Sequence, residues 1–370
     1  MATDAERVMS GAAWADFCDA LKAAGDVILR DNAPADELTR AEGFRYLTRL
    51  ARQALEANLE DPDALWPRWH RQTHLVTYGI TNPDQHHLSA IVSGKHDYRV
   101  WGALGNAAYL SLNAYSATHG RDGHLDRHEL KPGPNGDVEI IASTRRHQGN
   151  WLAMSPDTTS ISVRQTFLDW KTAKVTDLHI ERIGVTGARP PLSADQVARG
   201  LHRAARNVGS TARRFADWSA AFAKRPNELR DIDTHLGPGT YVASGSDPQI
   251  VFFGGYYQLA RDETLVVEAT PPECDWWGFQ VCNWWQESLN DSFPGASLNK
   301  QSAHYRPDKS VRIVIAHEDP GVSNWMNTFG HDRGIMGLRW TRAAEGAAAA
   351  SRSRPTTRLV PLSEARRLRD

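Results

Sequence analysis

The chain has 370 residues, 41% apolar and 24% charged, with 43 Lys+Arg against 44 Asp+Glu and a formal net charge of −1. That length suggests about two to three domains with at least one large core, and the even charge balance carries no electrostatic footprint for nucleic acid or an anionic membrane. Three cysteines (Cys18, Cys274, Cys282), with no C-x-x-C pair, argue against a disulfide framework or a thiolate zinc site.

The N-terminal stretch has no basic region followed by an apolar run, and no segment approaches the roughly 20 apolar residues of a membrane-spanning helix, so a cytoplasmic protein without membrane contact is expected. Residues 1–66 read as a helical segment. Trp14, Phe17, Leu21, Val27 and Ile28 fall near helical spacing, as do Phe44, Leu47, Leu50, Leu55 and Leu59, with a break at Asp31-Asn32-Ala33-Pro34. Over residues 67–190, short runs rich in Val, Ile, Tyr, Thr and Trp alternate with turn residues. Tyr98 to Trp101, Ala108 to Tyr115, Val138 to Ala142 and Ser160 to Phe167 predict strands of an antiparallel sandwich or barrel. Residues 191–230 predict a connecting helix, opened by a capping box of Ser193 and Gln196 and carrying an apolar stripe from Val197 to Phe222. Strand signals resume over 231–345, and residues 346–370 read as an Ala/Ser/Arg-rich linker and a tail that includes a short strand and a small helix.

An internal repeat organises these elements. Asn150-Trp151 precedes a strand carrying Arg164 and Thr166; Asn324-Trp325 precedes one carrying Arg339 and Thr341. The i, i+2 spacing places each Arg and Thr on one strand face. Similar strands lie upstream of each Asn-Trp, which predicts duplication of a four-strand motif. The expected fold is α+β and mostly β: a helical N-terminal segment, then two related jelly-roll-like β-sandwich units joined by a long helix.

The run Asp319-Pro320-Gly321-Val322-Ser323-Asn324-Trp325, with Gly330-His331, Gly334 and Arg339-Trp340, resembles the end of the bacterial domain of unknown function 1214 (DUF1214). Gly255-Tyr256-Tyr257-Gln258-Leu259, with Asp262-Glu263 and Leu265-Val266-Val267-Glu268, resembles its start. The resemblance spans about residues 250–342. It implies a jelly-roll-like sandwich, often paired with a related β-domain upstream, and implies no reaction.

The loop of the second copy holds an acid and a following histidine that the first copy lacks. Asp319 and His331 therefore stand as general acid or base and Arg339 as the anchor of an anionic or carbonyl group. Against this, Asp-Pro-Gly is a good turn, and Arg339 has Asp319 or Asp332 as an ordinary ion-pair partner. Catalysis would call for His331 in a partly buried cleft beside a carboxylate, with a shifted pKa. Strand alternation sends Trp277, Phe279, Val281 and Trp285 to one face and Trp276, Gln280, Cys282 and Trp284 to the other. Trp276, Trp284 and Trp325 would wall the pocket, with Asn324 and Arg164 as further ligand-binding residues; the alternative is sandwich core plus an interface under the connecting helix. His86-His87 follows the Asn82 to Asp84 turn and reads as a rim position. His304, His317, His331, Asp319 and Asp332 lack the tight spacing of a metal motif, so no metal is expected. The absence of phosphate loops, dinucleotide fingerprints and nucleophile elbows points to no organic cofactor. The expectation is an enzyme acting on a small molecule by acid–base chemistry. The alternatives are a non-catalytic binding protein for a hydrophobic or carbohydrate ligand, and a homo-oligomeric structural protein whose aromatic faces are subunit contacts.

Overall fold

The computed structural model describes residues 2–60, 63–71, 78–116, 118, 120–243, 245–289 and 295–368. The N-terminal segment is helical, as its spacing predicts: α1 (Asp4–Met9), α2 (Ala12–Ala24) and α3 (Glu37–Leu55). The break at Asp31–Pro34 falls between α2 and α3, and Asp36 caps α3 by accepting the Thr39 N–H at 2.8 Å. Phe17, Ile28, Tyr46 and Leu50 are buried, whereas Trp14 and Phe44, placed on the same stripes by sequence, are 59% and 46% exposed. The connecting helix α4 (Ala194–Phe222) opens with the expected capping box: the Gln196 N–H donates to Ser193 Oγ and the Ser193 N–H to Gln196 Oε1.

Among the described residues, nine strands lie between these helices: β1 (His70–Arg71), β2 (Gln85–Ile91), β3 (Tyr98–Ala103), β4 (Tyr109–Ser116), β5 (Gly120–Asp126), β6 (Asp137–Ser143), β7 (Asn150–Ala153), β8 (Thr158–Thr166) and β9 (Asp177–Arg182). After α4 come β10 (Glu228–Asp231), the short helices α5 (Ile232–Leu236) and α6 (Thr240–Ala243), and β11 (Ile250–Gln258). Next are β12 (Glu263–Ala269), β13 (Cys274–Cys282), β14 (Ser297–Asn299), β15 (Val311–Ala316), β16 (Trp325–Asn327) and β17 (Arg333–Ala343). The short helix α7 (Ala347–Ala350) and β18 (Thr356–Pro361) close the second unit.

The first unit stacks a sheet of order β1-β2-β8-β4-β5 on one of order β7-β6-β3-β9; the second stacks β10-β11-β17-β13-β14 on β16-β15-β12-β18. Adding nine to every strand number of the first unit reproduces the second, so the duplication extends beyond four strands to the whole sandwich. One pair in each unit departs from the expected antiparallel pattern: β6–β7 and β15–β16 are parallel. The short strand and small helix expected near the C-terminus are present, as β18 and α8 (Leu362–Ala365), and they pack on the second sandwich. β18 pairs with β12 as β9 pairs with β3, and its six residues complete the second sandwich.

Period-2 alternation fills each core from two inner faces. Leu88, Leu112, Ile140 and Val163 belong to the first core, and Trp277, Phe279, Ile313 and Trp340 to the second. A third core joins the helical layer to the outer face of the larger second sheet, where Trp284 and Trp285 meet Tyr46, Val208 and Phe222. The Trp285 indole donates to the Thr39 carbonyl at 2.7 Å. Gly43 is needed on α3 because a Cβ there would lie 2.7 Å from Ile28 and 2.8 Å from Trp285.

Candidate functional site

The residues singled out by sequence do not assemble into one pocket. Asp319 is exposed, and its carboxylate accepts the Gly321 N–H at 2.7 Å, closing the Asp-Pro-Gly turn. His331 is 7% exposed and borders a cleft of about 640 Å³ shared with His317 and Asp332. Its Nδ1 faces the Thr328 carbonyl at 2.7 Å and its Nε2 faces Glu42 of α3 at 3.0 Å. Burial opposes protonation of this ring, but the hydrogen bond and charge of Glu42 outweigh it and raise the pKa above the ordinary histidine value. A shifted histidine beside a carboxylate is what catalysis would call for, yet both ring nitrogens are already engaged by the protein. Arg339 stands six residues beyond Arg333 on β17, ~20 Å along an extended strand.

Asn324 and Trp325 are structural in both copies. Asn324 Oδ1 accepts the His304 N–H and its Nδ2 donates to the His304 and Arg312 carbonyls, at 2.8, 2.8 and 2.9 Å. Asn150 makes the same three contacts to Lys131 and Glu139, at 2.8, 3.1 and 3.0 Å. The Trp325 indole donates to Ala316 and that of Trp151 to Ser143. Trp284 is buried under α4, edge-on to Trp285. Trp276 is buried beside Asp84, whose carboxyl is pushed up to about 6 by burial, against the hydrogen bond that Asn299 donates at 2.8 Å.

The two repeated arginines do come together. Arg164 on β8 and Arg339 on β17 project from the outer faces of the two larger sheets into one cavity of about 210 Å³, roofed by α4 through Phe215 and Trp218. Strand register makes the pair equivalent: His87 is the cross-strand neighbour of Arg164, and Phe252 that of Arg339. The Arg339 guanidinium lies 4.2 Å from the centre of the Phe252 ring, donates to Gln280 Oε1 at 2.8 Å and bonds the Ile80 carbonyl. Ile80 holds that carbonyl in place at φ 55, a left-handed conformation costly for a β-branched residue. Arg164 donates to the Gly245 carbonyl at 3.0 Å, while its buried Nε has no hydrogen-bond partner.

Among the described residues neither arginine forms an ion pair with a carboxylate. Asp247 supplies a balancing negative charge to Arg164, and its carboxylate already accepts from Tyr109 and Ser111 at 2.8 and 2.6 Å. Burial opposes its ionisation, but Arg164, the Ser111 hydroxyl, His124 and the Gln249 N–H hold its pKa below the ordinary value. Burial and the two arginines push His87 down to about 3, so the ring is neutral. Its Nε2 faces Gln85 Oε1 at 3.0 Å. Tyr241 also lines the cavity, and burial raises its hydroxyl above the ordinary phenol, keeping it protonated. The cavity can therefore offer fixed positive charge with neutral donors and acceptors.

His87, which the sequence offers only as a rim position, lines the cavity as the cross-strand neighbour of Arg164; Tyr241 and Ile80 escape sequence reading because they reach the arginines only in the folded chain, and the repeat of Arg164 and Arg339 is the signal that leads to them. For a metal, His124, Asp126 and Glu129 place ligand-type atoms within 4.8 Å of one another. Asp126 there is already bound to Arg342 at 3.0 Å and to the His128 N–H at 2.8 Å.

No protein-family model matches the chain, and no curated protein matches it in sequence. Among solved structures, an uncharacterised protein from Burkholderia cenocepacia is 40% identical, with a TM-score of 0.91 over 97% of this chain and 99% of that one. A protein from Vibrio parahaemolyticus is 10% identical, with a TM-score of 0.53 over 86% of this chain and 98% of that one, a likeness of fold alone.

Proposed function

This chain belongs to the family of the uncharacterised Burkholderia cenocepacia protein, and we propose that it is a binding protein for a small organic anion held between its two repeats. One observation carries the reading: equivalent arginines of the two units, Arg164 and Arg339, face one polar cavity without a carboxylate ion pair among the described residues. Two guanidiniums in a confined space repel and are costly to desolvate, and an anion between them relieves both penalties. Phe252, Phe215 and Trp218 suit an organic rather than a purely inorganic anion, and about 210 Å³ limits it to a few carbons. With a pKa of about 3, His87 is a weak base, which favours recognition over the acid–base catalysis expected from sequence.

The DUF1214 resemblance belongs to this proposal as the ancestry of the second unit. A cytoplasmic setting belongs to it too, since all three cysteines are free thiols. Titration calorimetry with a panel of small mono- and dicarboxylates, organic phosphates and sulfonates tests it. One class should bind the wild type and bind at least about tenfold more weakly to Arg164→Gln and Arg339→Gln, the loss of one charged hydrogen bond. Binding that is indifferent to both substitutions would refute the reading.

A further inference from the structure

The helical layer holds a second, independent cavity. α1 and α2 lean on the N-terminal half of α4 and leave a groove of about 860 Å³, within the range of roughly 300–1,000 Å³ typical of small-molecule clefts. Its floor is apolar, with Phe17 and Val27 on one side and Ala198 and Ala205 on the other. The α4 positions 198, 202, 205 and 209 recur every three or four residues, so the groove follows one face of the helix for about three turns. Ala198, Ala205 and Gly209 keep the floor open on that face, with His202 between them.

The rim is cationic. Arg199, Arg203, Arg206 and Arg213 all border the groove, and among the described residues none of the four forms an ion pair with a carboxylate. Arg199 to Arg203 is an i, i+4 pair and Arg203 to Arg206 an i, i+3 pair, so like charges sit side by side, an arrangement that destabilises a helix when nothing neutralises it. The acids of the groove stand on the opposite side: Asp16 is tied to Arg7, and Asp4 lies in the first turn of α1. An apolar floor beside uncompensated guanidiniums matches a ligand with an apolar chain and one anionic head.

We propose that this groove binds a long-chain carboxylate, its chain on the alanine and phenylalanine floor and its head on Arg203 and Arg206. Guanidinium and carboxylate geometries match for bidentate hydrogen bonding, and the arginine stems can lie along the chain while the heads stay in water.

The test is titration calorimetry of the full chain with decanoate, with acetate as the head without the chain and octanol as a chain without the charge. Two variants act by different means. Arg203→Gln with Arg206→Gln removes the charge while retaining good helix formers. Gly209→Leu fills the groove; a Cβ at Gly209 would meet only the Arg213 guanidinium, at 3.8 Å, so the helix accommodates it. Circular dichroism establishes that both remain folded. Decanoate should bind the wild type saturably at one site and at least tenfold more weakly to each variant, with acetate silent and octanol much weaker. Absence of saturable decanoate binding overturns the proposal, as does wild-type affinity in both variants, or octanol matching decanoate.

Discussion

Glu42 and His331 stand 289 residues apart in sequence and 3.0 Å apart in space, and their contact ties α3 to the start of β17. The raised pKa of His331 sets the sign of its effect. Its contribution to stability is fully present below the unfolded histidine value of about 6.5 and is lost as pH rises through the folded value. The thermal unfolding midpoint of the wild type should therefore fall between about pH 6 and pH 9. Glu42→Gln should lower the midpoint at pH 6 and flatten the profile; parallel profiles for the two proteins would show that the pair is not what titrates.

Asn150 and Asn324 clamp equivalent connections, but their backbones differ. Asn324 sits at φ 56, in the left-handed region, while Asn150 does not and is preceded instead by Gly149 at φ 84. Alanine at either position loses three hydrogen bonds, about 2–3 kcal/mol. At position 324 alanine also suffers the left-handed penalty, about 1 kcal/mol more. Urea unfolding of the two alanine variants should show that order, and the corresponding glycine variants should show a smaller gap. A reversed order would mean that the loops, not the backbone, set the cost.

Because β18 completes a sheet, removing residues 346–370 should do more than shorten the chain. It would expose the β12 edge, uncover Val266 against Val360 and Ala365, and free the Trp340 indole from the Ser353 carbonyl. Truncation after residue 345 should yield an aggregating protein with a protease-sensitive second unit. A soluble, resistant product would mean that three strands suffice for that sheet.

The sandwich strands, the long helix and its capping box were legible because period-2 and period-3.6 patterns and cap chemistry are local. The duplication was legible because Asn-Trp and Arg-x-Thr recur at nearly equal spacing. The role of Asn-Trp was not: it lies in hydrogen bonds to carbonyls 11 to 20 residues away, which leave no local trace. β18 shows in the sequence only as a short strand in a tail, because its pairing partner lies some ninety residues upstream and its exposed residues, including Arg358 and Leu359, show little alternation. Within one repeat the sequence pattern points to the Asp319–His331 loop, whereas the arginines meet between repeats. Arg164 and Arg339 were legible as a pair, but their shared cavity was not, because docking of the two units creates it.

The repeats also differ in a way that tests the cavity directly. At equivalent strand positions the first unit places His87 beside Arg164 and the second places Phe252 beside Arg339. His87→Phe makes the first copy like the second. The substitution removes a poorly basic imidazole and its contact with Gln85, and replaces it with a ring able to stack on a guanidinium. Free-protein stability should change by less than about 1.5 kcal/mol, since neutral polar and aromatic contacts exchange at similar size. The single N–H of the neutral ring already goes to Gln85 Oε1, so none is left for an anion, and affinity for an anion that binds the wild type should change by no more than about threefold. Calorimetry at pH 6 and pH 8 on both proteins separates the possible roles. A neutral His87 predicts the same small change at both pH values, whereas a tenfold loss confined to pH 6 would mean that the ring binds as imidazolium and that the arginines do not suppress its charge.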